Sequence, residues 1–379
     1  MIKLTDIATV NQQVSGDVIE KMTAIIRDNT FVNGSDVLAF EEKFARYLGV
    51  KYCFGVGNGT DALEIALAAL DLPKDAEVII PDCTFIATAN AVINVGLRPV
   101  IADVGSNLTM NADELERLIT PDTKAIIPVH LYGHPAPMTK IMELADAYNL
   151  AVVEDSAQAH GATYKGRMAG SIGDLGCFSF YPSKNLGAFG DAGAITTNDE
   201  ALADKIRLIR DHGRISKYEY RRTGRNSKLD SIQAAVLVTK LDYLESWIKA
   251  RNEVAAVYAR VFADVKPIVL PMVEPENRHV YHQYAIRCER RDELMEHLLK
   301  SGVECGIHYP TAISQEPFIA GHEMLYANYR SRRYVNELLS LPMGTHLSEA
   351  DISYIASCVE HFYQENTNLP PYTVSTSAV

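Results

Sequence analysis

Three stretches of the sequence carry residue types and spacings that could do chemistry. The first is Gly55, Gly57, Asn58, Gly59, Thr60 and Asp61, set between an apolar run and a strongly helical one. Glycines let backbone N–H groups approach a ligand, and a helix N-terminus offers unpaired donors and a favourable dipole, so this is a candidate phosphate cradle. The same residues fit a tight strand-to-helix turn capped by Thr60 or Asn58 equally well. No GxxxxGK[ST] occurs, which excludes a P-loop. GxGxxG is also absent, and the acidic residues about 20 positions on, Asp75 and Glu77, precede a strand instead of ending one, so a dinucleotide turn is the weaker alternative. The second stretch is LAVVEDSAQAHGA, where Asp155 ends a buried-looking strand. Open α/β sheets place ligands at that end, and a carboxylate there needs a cationic or protonated partner. Glu154 points to the opposite face and reads as structural, and His160 in the following loop reads as a packing residue. The third is CFSFYPSKNLGAFGDAGA, in which Lys184 directly follows an apolar strand. Lysines in such places lose their proton and form Schiff bases, although an exposed loop lysine would satisfy the local sequence too. Ser179 and Ser183 add hydroxyls suited to a phosphate.

Taken together, these groups restrict one another. A phosphate cradle, a strand-end carboxylate and a Schiff-base lysine are what pyridoxal 5′-phosphate (PLP) needs from a protein. Phe85, in PDCTFIATANA after another strand end, offers an aromatic face for the ring.

The elements that must position these residues follow from periodicity. Val18, Met22, Ile25 and Ile26, and then Val37, Phe40, Phe44 and Leu48, fall at helical spacing. KYCFGV, EVIIP, PVIADV, KAIIPVH and LAVVED read as strands, with TDALEIALAAL, FIATANAVINVG (ended by Gly96), ADELERLI and TKIMELADAYN as helices between them. The strands are continuous apolar runs, as expected when helices cover both faces of a mostly parallel sheet. CFSF and AGAITT add two more strands, and one long helix is predicted from about Ser231 to Phe262. PIVLP, YHQYAIRC, DELMEHLLKSG and VECGIHY then read as a smaller α+β unit. The expected division is 1–250 for a large α/β domain with an N-terminal helical segment, 251–366 for a small C-terminal α+β domain, and 367–379 for a disordered tail.

Composition bounds the function. The 379 residues are 47% hydrophobic and 22% charged, ordinary for a globular protein of two or three domains. A net charge of −12 argues against nucleic acid or an anionic membrane as partner. The six cysteines (53, 83, 177, 288, 305 and 358) show no zinc or CxxC spacing, so no metal is expected and the thiols read as free. Neither a signal peptide nor a run of about 18 apolar residues is present, so a cytoplasmic location is expected.

The chain resembles the DegT/DnrJ/EryC1/StrS family, sugar aminotransferases of the aspartate aminotransferase fold (fold type I). The resemblance rests on NGTDAL (58–63), FIATANAV (85–92), ITPDTKAIIPVHLYGHPAPM (119–138), VVEDSAQAHGATYKG (152–166), FSFYPSKNLGAFGDAGAITT (178–197), IRDHG (209–213) and GRNSKLDSIQAAVL (224–237), with GIHYP (306–310) a weaker match. It implies a Schiff base from PLP to Lys184, pairing of Asp155 with the pyridine nitrogen, Gln158 near the ring hydroxyl and Phe85 stacked on the ring. It further implies that Gly59, Thr60 and Ser179 hold the phosphate and that Asn226 reaches it from the second subunit of a homodimer with shared sites. Ping-pong transamination from glutamate to a keto sugar follows. A dehydratase branch carries histidine where this chain has Lys184, and a non-catalytic sugar-sensing relative is disfavoured by the intact set. Nucleotide-linked keto sugars head the acceptors, with free keto sugar acids of the oxo-octulosonate type and keto-inositols as alternatives. His308, Tyr309, Arg221 and Arg222 are the candidate substrate contacts. The arginines belong to a cationic cluster from Arg210 to Arg222, which also holds His212, Arg214, Lys217 and Tyr218 and would suit an anionic acceptor.

Overall fold

The computed structural model describes residues 1–319 and 330–365. The expected tail lies outside these residues, as does the last position of the expected small domain. Two helices open the chain, α1 (Ile7–Asp28) and α2 (Ser35–Leu48). There follow β1 (Tyr52–Val56), α3 (Gly59–Ala69), β2 (Glu77–Pro81), α4 (Ala87–Asn94), β3 (Arg98–Ala102), β4 (Thr123–Ile126), α5 (Met138–Tyr148) and β5 (Ala151–Asp155). A short ribbon, β6 (Thr163–Tyr164) with β7 (Arg167–Met168), precedes β8 (Leu175–Ser179) and β9 (Gly193–Thr197).

Seven of these strands form one sheet in the order β1-β9-β8-β5-β4-β2-β3. Only β9 runs antiparallel to its neighbours, β1 and β8. The other four neighbouring pairs, β8–β5, β5–β4, β4–β2 and β2–β3, are parallel, so the carboxyl ends of β2, β4, β5 and β8 share one edge. Ile79 and Val100 pack on one face and Val78, Ile80 and Ile101 on the other, which explains the unbroken apolar runs.

ADELERLI is not an α-helix. It forms two 3₁₀ turns, Ala112–Glu114 and Glu116–Leu118. Its buried residues, Ala112, Leu115 and Leu118, recur at intervals of three, which a 3₁₀ turn stacks on one face. Gly96 does follow α4, at a φ of 78°, where its N–H bonds Ile93 and that of Leu97 bonds Val92. Beyond β9 comes α6 (Glu200–Ile209), capped by Asp199, and the ribbon of β10 (Arg214–Ser216) and β11 (Glu219–Tyr220).

The long helix expected from 231 is two helices, α7 (Ser231–Lys240) and α8 (Leu244–Val261). Between them Asp242 and Tyr243 bond back three residues, to Thr239 and Lys240, tightening the turn. Leu244 and Ile248 of α8 pack with the core around Phe44, Phe178 and Phe180, whereas Val254, Ala255 and Tyr258 pack with a second core. A division at residue 250 therefore falls inside one continuous helix. The second core lies against β12 (Ile268–Val269), β13 (Tyr284–Cys288) and β14 (Leu338–Leu341), with α9 (Arg291–Lys300) and α11 (Glu349–Glu365); α10 (Arg330–Tyr334) leads into β14. VECGIHY forms no strand but two isolated bridges, Val303 to Ile2 and Gly306 to Ser340. The first residues of the chain join this second unit, since Ile2 bridges Val303 and the Leu4 N–H donates to Glu304.

Candidate active site

The site lies at the carboxyl ends of the parallel strands. At the end of β1, Asn58 caps α3 through the Asp61 N–H at 2.8 Å, and the Ala62 N–H bonds the Asn58 carbonyl. The N–H groups of Gly59 and Thr60 are left at the helix N-terminus, facing the end of β8. Gly59 presses so closely on β8 that a Cβ built on it would sit 2.6 Å from Ser179 Cβ. A close-approach glycine, two helix N–H donors and a hydroxyl thus converge, which is the donor set a phosphate monoester takes.

Asp155 ends β5 and is buried. The Thr88 hydroxyl donates to its Oδ2 at 2.9 Å and the Ala157 N–H to its Oδ1 at 3.2 Å. Burial raises its pKa, opposed by Thr88, by the Ala157 N–H, and by the positive charge of Lys184. Glu154, on the opposite face, accepts from the N–H groups of Gly170, Ile172 and Gly173 and meets His130 Nε2 at 2.9 Å. It is a structural clamp for the loop before β8.

Lys184 sits in the loop after β8, its N–H bonding the Tyr181 carbonyl at 2.8 Å. Desolvation brings its amine down to about 8, with negatively charged Asp155 pulling the other way. An amine so placed is available as a nucleophile near neutrality. Its charge also reaches His160, His282 and His308, each held below the ordinary histidine range mainly by burial. His160 packs its ring 5.6 Å from Phe178 and 5.4 Å from Phe180, a core role.

Gln158 spans the site. Its Oε1 accepts from the Tyr132 N–H at 2.6 Å and its Nε2 donates to the Tyr309 hydroxyl at 3.0 Å. Phe85 is half-exposed, its ring centroid 5.4 Å from that of Tyr309. Phe85, Tyr309, His308, Gln158, Asp155 and Lys184 therefore converge on one cleft, with Gly59, Thr60 and Ser179 at the neighbouring strand end. This constellation fits PLP: a phosphate at the α3 N-terminus, an aldehyde at Lys184 and a ring nitrogen opposite Asp155.

Over residues 12–360 the sequence matches the DegT/DnrJ/EryC1/StrS aminotransferase family. The chain belongs to this family. It is 38% identical to the dTDP-3-amino-3,4,6-trideoxy-alpha-D-glucose transaminase of Streptomyces venezuelae, over 95% of this chain and 96% of that one. It is also 38% identical to the UDP-2-acetamido-2-deoxy-3-oxo-D-glucuronate aminotransferase of Pseudomonas aeruginosa, over 95% and 99% of the two chains. The crystal structure of S. venezuelae DesV in complex with a ketimine intermediate superposes with a TM-score of 0.92 at 37% identity, covering 95% of this chain and 98% of that one.

Other expected site residues of this DegT-family aminotransferase lie elsewhere within the single chain. Asn226 is exposed, beside Lys228 and Asp211, and it is Ser227 that reaches the β1–α3 turn, accepting from the Gly57 N–H and donating to Asp61. Arg222 binds Asp71 and the Ala68 carbonyl, at the far end of α3 from Gly59. An eleven-residue helix separates those ends by about 16 Å. Exposed Arg221 lines the same outer groove as Arg222. The cluster around these arginines is also not a free cationic patch. Arg210 pairs with Glu41, Arg214 and Lys228 with Asp211, and Arg225 with Asp61 and Glu64. Asp211 within the cluster, and Glu41, Asp61, Glu64 and Asp71 far from it in sequence, pair with these cations. Conversely, Thr88 and Tyr132 belong to the site and were not singled out in the sequence. For Thr88 a signal existed: it stands three residues after Phe85, one helical turn along.

Proposed function

We propose that this aminotransferase moves an amino group from glutamate to a nucleotide-linked keto sugar, producing an amino sugar of the kind built into surface polysaccharide or lipopolysaccharide. The observation that carries the reading is the convergence of the Lys184 amine, the buried Asp155 carboxylate and the Gly59–Ser179 cradle in one cleft. The relatives named for dTDP- and UDP-linked sugars support the acceptor class. Asn226, exposed in its own chain, is proposed to serve the site of a second copy in a homodimer.

In the mechanism, PLP supplies, when bound, a sink for the electron pair left when the amino-bearing carbon loses its proton. The protein's residues do the rest. Lys184 Nζ, neutral in a substantial fraction near pH 8, would hold the cofactor through its aldehyde and, when free, would carry a proton to and from the substrate carbon. Asp155, as an anion, would hold the proton on the ring nitrogen. Phe85 would cover one ring face and Gln158, itself positioned by Tyr132 and Tyr309, would meet the edge carrying the hydroxyl. His308 and Tyr309, across the cleft, would contact the sugar. The test is to mix purified protein with PLP and glutamate alone, then with a panel of keto sugars. The expected result is a yellow protein bleached by glutamate, and an amino product from a nucleotide-linked keto sugar. Lys184→Ala should lose the chromophore and all but a few per cent of turnover. A better rate with an uncharged keto-inositol than with any nucleotide-linked sugar would overturn the acceptor.

A further inference from the structure

Three buried oxygen-bearing side chains form a line ending at Asp155. Thr84 Oγ1 lies 2.9 Å from Thr88 Oγ1, which lies 2.9 Å from Asp155 Oδ2. The three residues are 3%, 0% and 6% exposed, so bulk water does not compete for these bonds. A threonine hydroxyl has one hydrogen and an ionised carboxylate has none. While Asp155 is an anion, the Thr88 hydrogen must go to Asp155, and Thr88 must accept from Thr84. The order of donors is then fixed along the line, and each bond polarises the next. A protonated Asp155 would accept the same bond only as a neutral, weaker acceptor. The line thus favours the ionised carboxylate, which a bound ring nitrogen requires.

The same line bears on Phe85. Ile86, the residue that caps α4, makes no side-chain capping bond, and the Thr88 N–H bonds the Phe85 carbonyl at 3.1 Å, so Phe85 is held to the first turn through Thr88. Thr84 and Thr88 flank Phe85 and tie its segment to the end of β5. The residue for the ring face and the residue for the ring nitrogen are therefore joined through two hydroxyls.

We propose that Thr88, itself oriented by Thr84, is a positioning residue for transamination: it holds Asp155 ionised and aimed, and fixes Phe85 relative to it. The inference rests on the aminotransferase reading above. The titratable groups facing Asp155 are Lys184, His130, Cys177 and Tyr309, and none of them donates to Oδ2.

Thr88→Val keeps the shape and removes the donor, while Thr88→Ser keeps the donor. Protein freed of cofactor is titrated with PLP, and the pH at which the bound chromophore changes is recorded before any turnover is measured. Losing one hydrogen bond to a charged group predicts PLP affinity and donor half-reaction rate about ten- to hundredfold lower in Thr88→Val. KM for glutamate should change little. A ring nitrogen that holds its proton less well withdraws less charge, so the chromophore transition should move to higher pH. Thr88→Ser should stay within about threefold of wild type by the same reasoning. On top of Asp155→Asn, Thr88→Val should cost little more, because the two act as one unit. If Thr88→Val does not fold, Thr84→Val carries the test, with shifts of the same sign and smaller size. An unmoved transition pH, or a loss that adds fully to that of Asp155→Asn, would overturn the inference and leave Thr88 as core packing. Wild-type protein that takes up no PLP would instead overturn the aminotransferase reading, and this inference with it.

Discussion

Lys184 and Asp155 are each unfavourable alone in a desolvated cleft, and each moderates the other. Burial lowers the lysine and raises the aspartate, while their mutual attraction opposes both shifts. This has a direct kinetic consequence. The nucleophile is the free amine, so the rate at which cofactor-free protein takes up PLP should rise about tenfold per pH unit and level off above about pH 8. Asp155→Asn removes the charge that holds the proton on Lys184, and the plateau should then begin at lower pH. Stopped-flow absorbance across a pH series reads both. A plateau that begins at the ordinary lysine pKa would mean that Lys184 is not desolvated.

At the level of elements, the site is made where the β1–α3 turn meets the end of β8. Gly59 is the contact point, with the Ser179 Cα 3.2 Å and Cβ 2.6 Å from where its own Cβ would lie. Neither atom belongs to the free end of a flexible side chain, so Gly59→Ala must push α3 away from β8. That moves the Gly59 and Thr60 N–H groups relative to the Ser179 hydroxyl. We expect PLP affinity to drop at least about tenfold and stability by about 1–3 kcal/mol, as for other overpacked sites. Equilibrium titration and urea unfolding measure the two separately. Unchanged affinity would show that the helix terminus does not hold the phosphate. Glu154 acts at the same level, since its three backbone bonds and His130 hold the loop that leads into β8.

At the level of the whole molecule, α8 runs without interruption from the first core to the second, and the N-terminal residues return to the second unit through Ile2. No helix among the described residues is long and apolar enough to cross a membrane. The ribbon carrying Ile215, Tyr218 and Tyr220 leaves all three side chains exposed, close in sequence to exposed Asn226. A second copy seated there would cover them. Co-expression of Lys184→Ala with Asn226→Ala chains tests this. In a mixed dimer with shared sites both lesions fall in one site and the other is intact. With random pairing about a quarter of wild-type activity should return, from two nearly inactive parents. Activity that never exceeds the better parent would place Asn226 with its own subunit.

The sequence by itself determined the strands, the sheet class and the family. Unbroken apolar runs admit few arrangements other than a covered parallel sheet, and Lys184, Asp155, Gly59 and Ser179 stand at the strand ends where such sheets gather ligands. Tertiary structure decided what depends on partners far along the chain. Whether Arg210 or Arg222 is a free cation depends on Glu41 and Asp71, more than 150 residues away, and no local pattern encodes those pairings. The break between α7 and α8, where Asp242 and Tyr243 bond back to Thr239 and Lys240, falls within the stretch that packs on the first core, so the apolar periodicity runs through it unchanged. Thr88 looked like any helical threonine until β5 brought Asp155 to within 2.9 Å of its hydroxyl. Periodicity reports which side of an element is buried, whereas the partner that meets a polar group there is fixed only when the sheet is assembled.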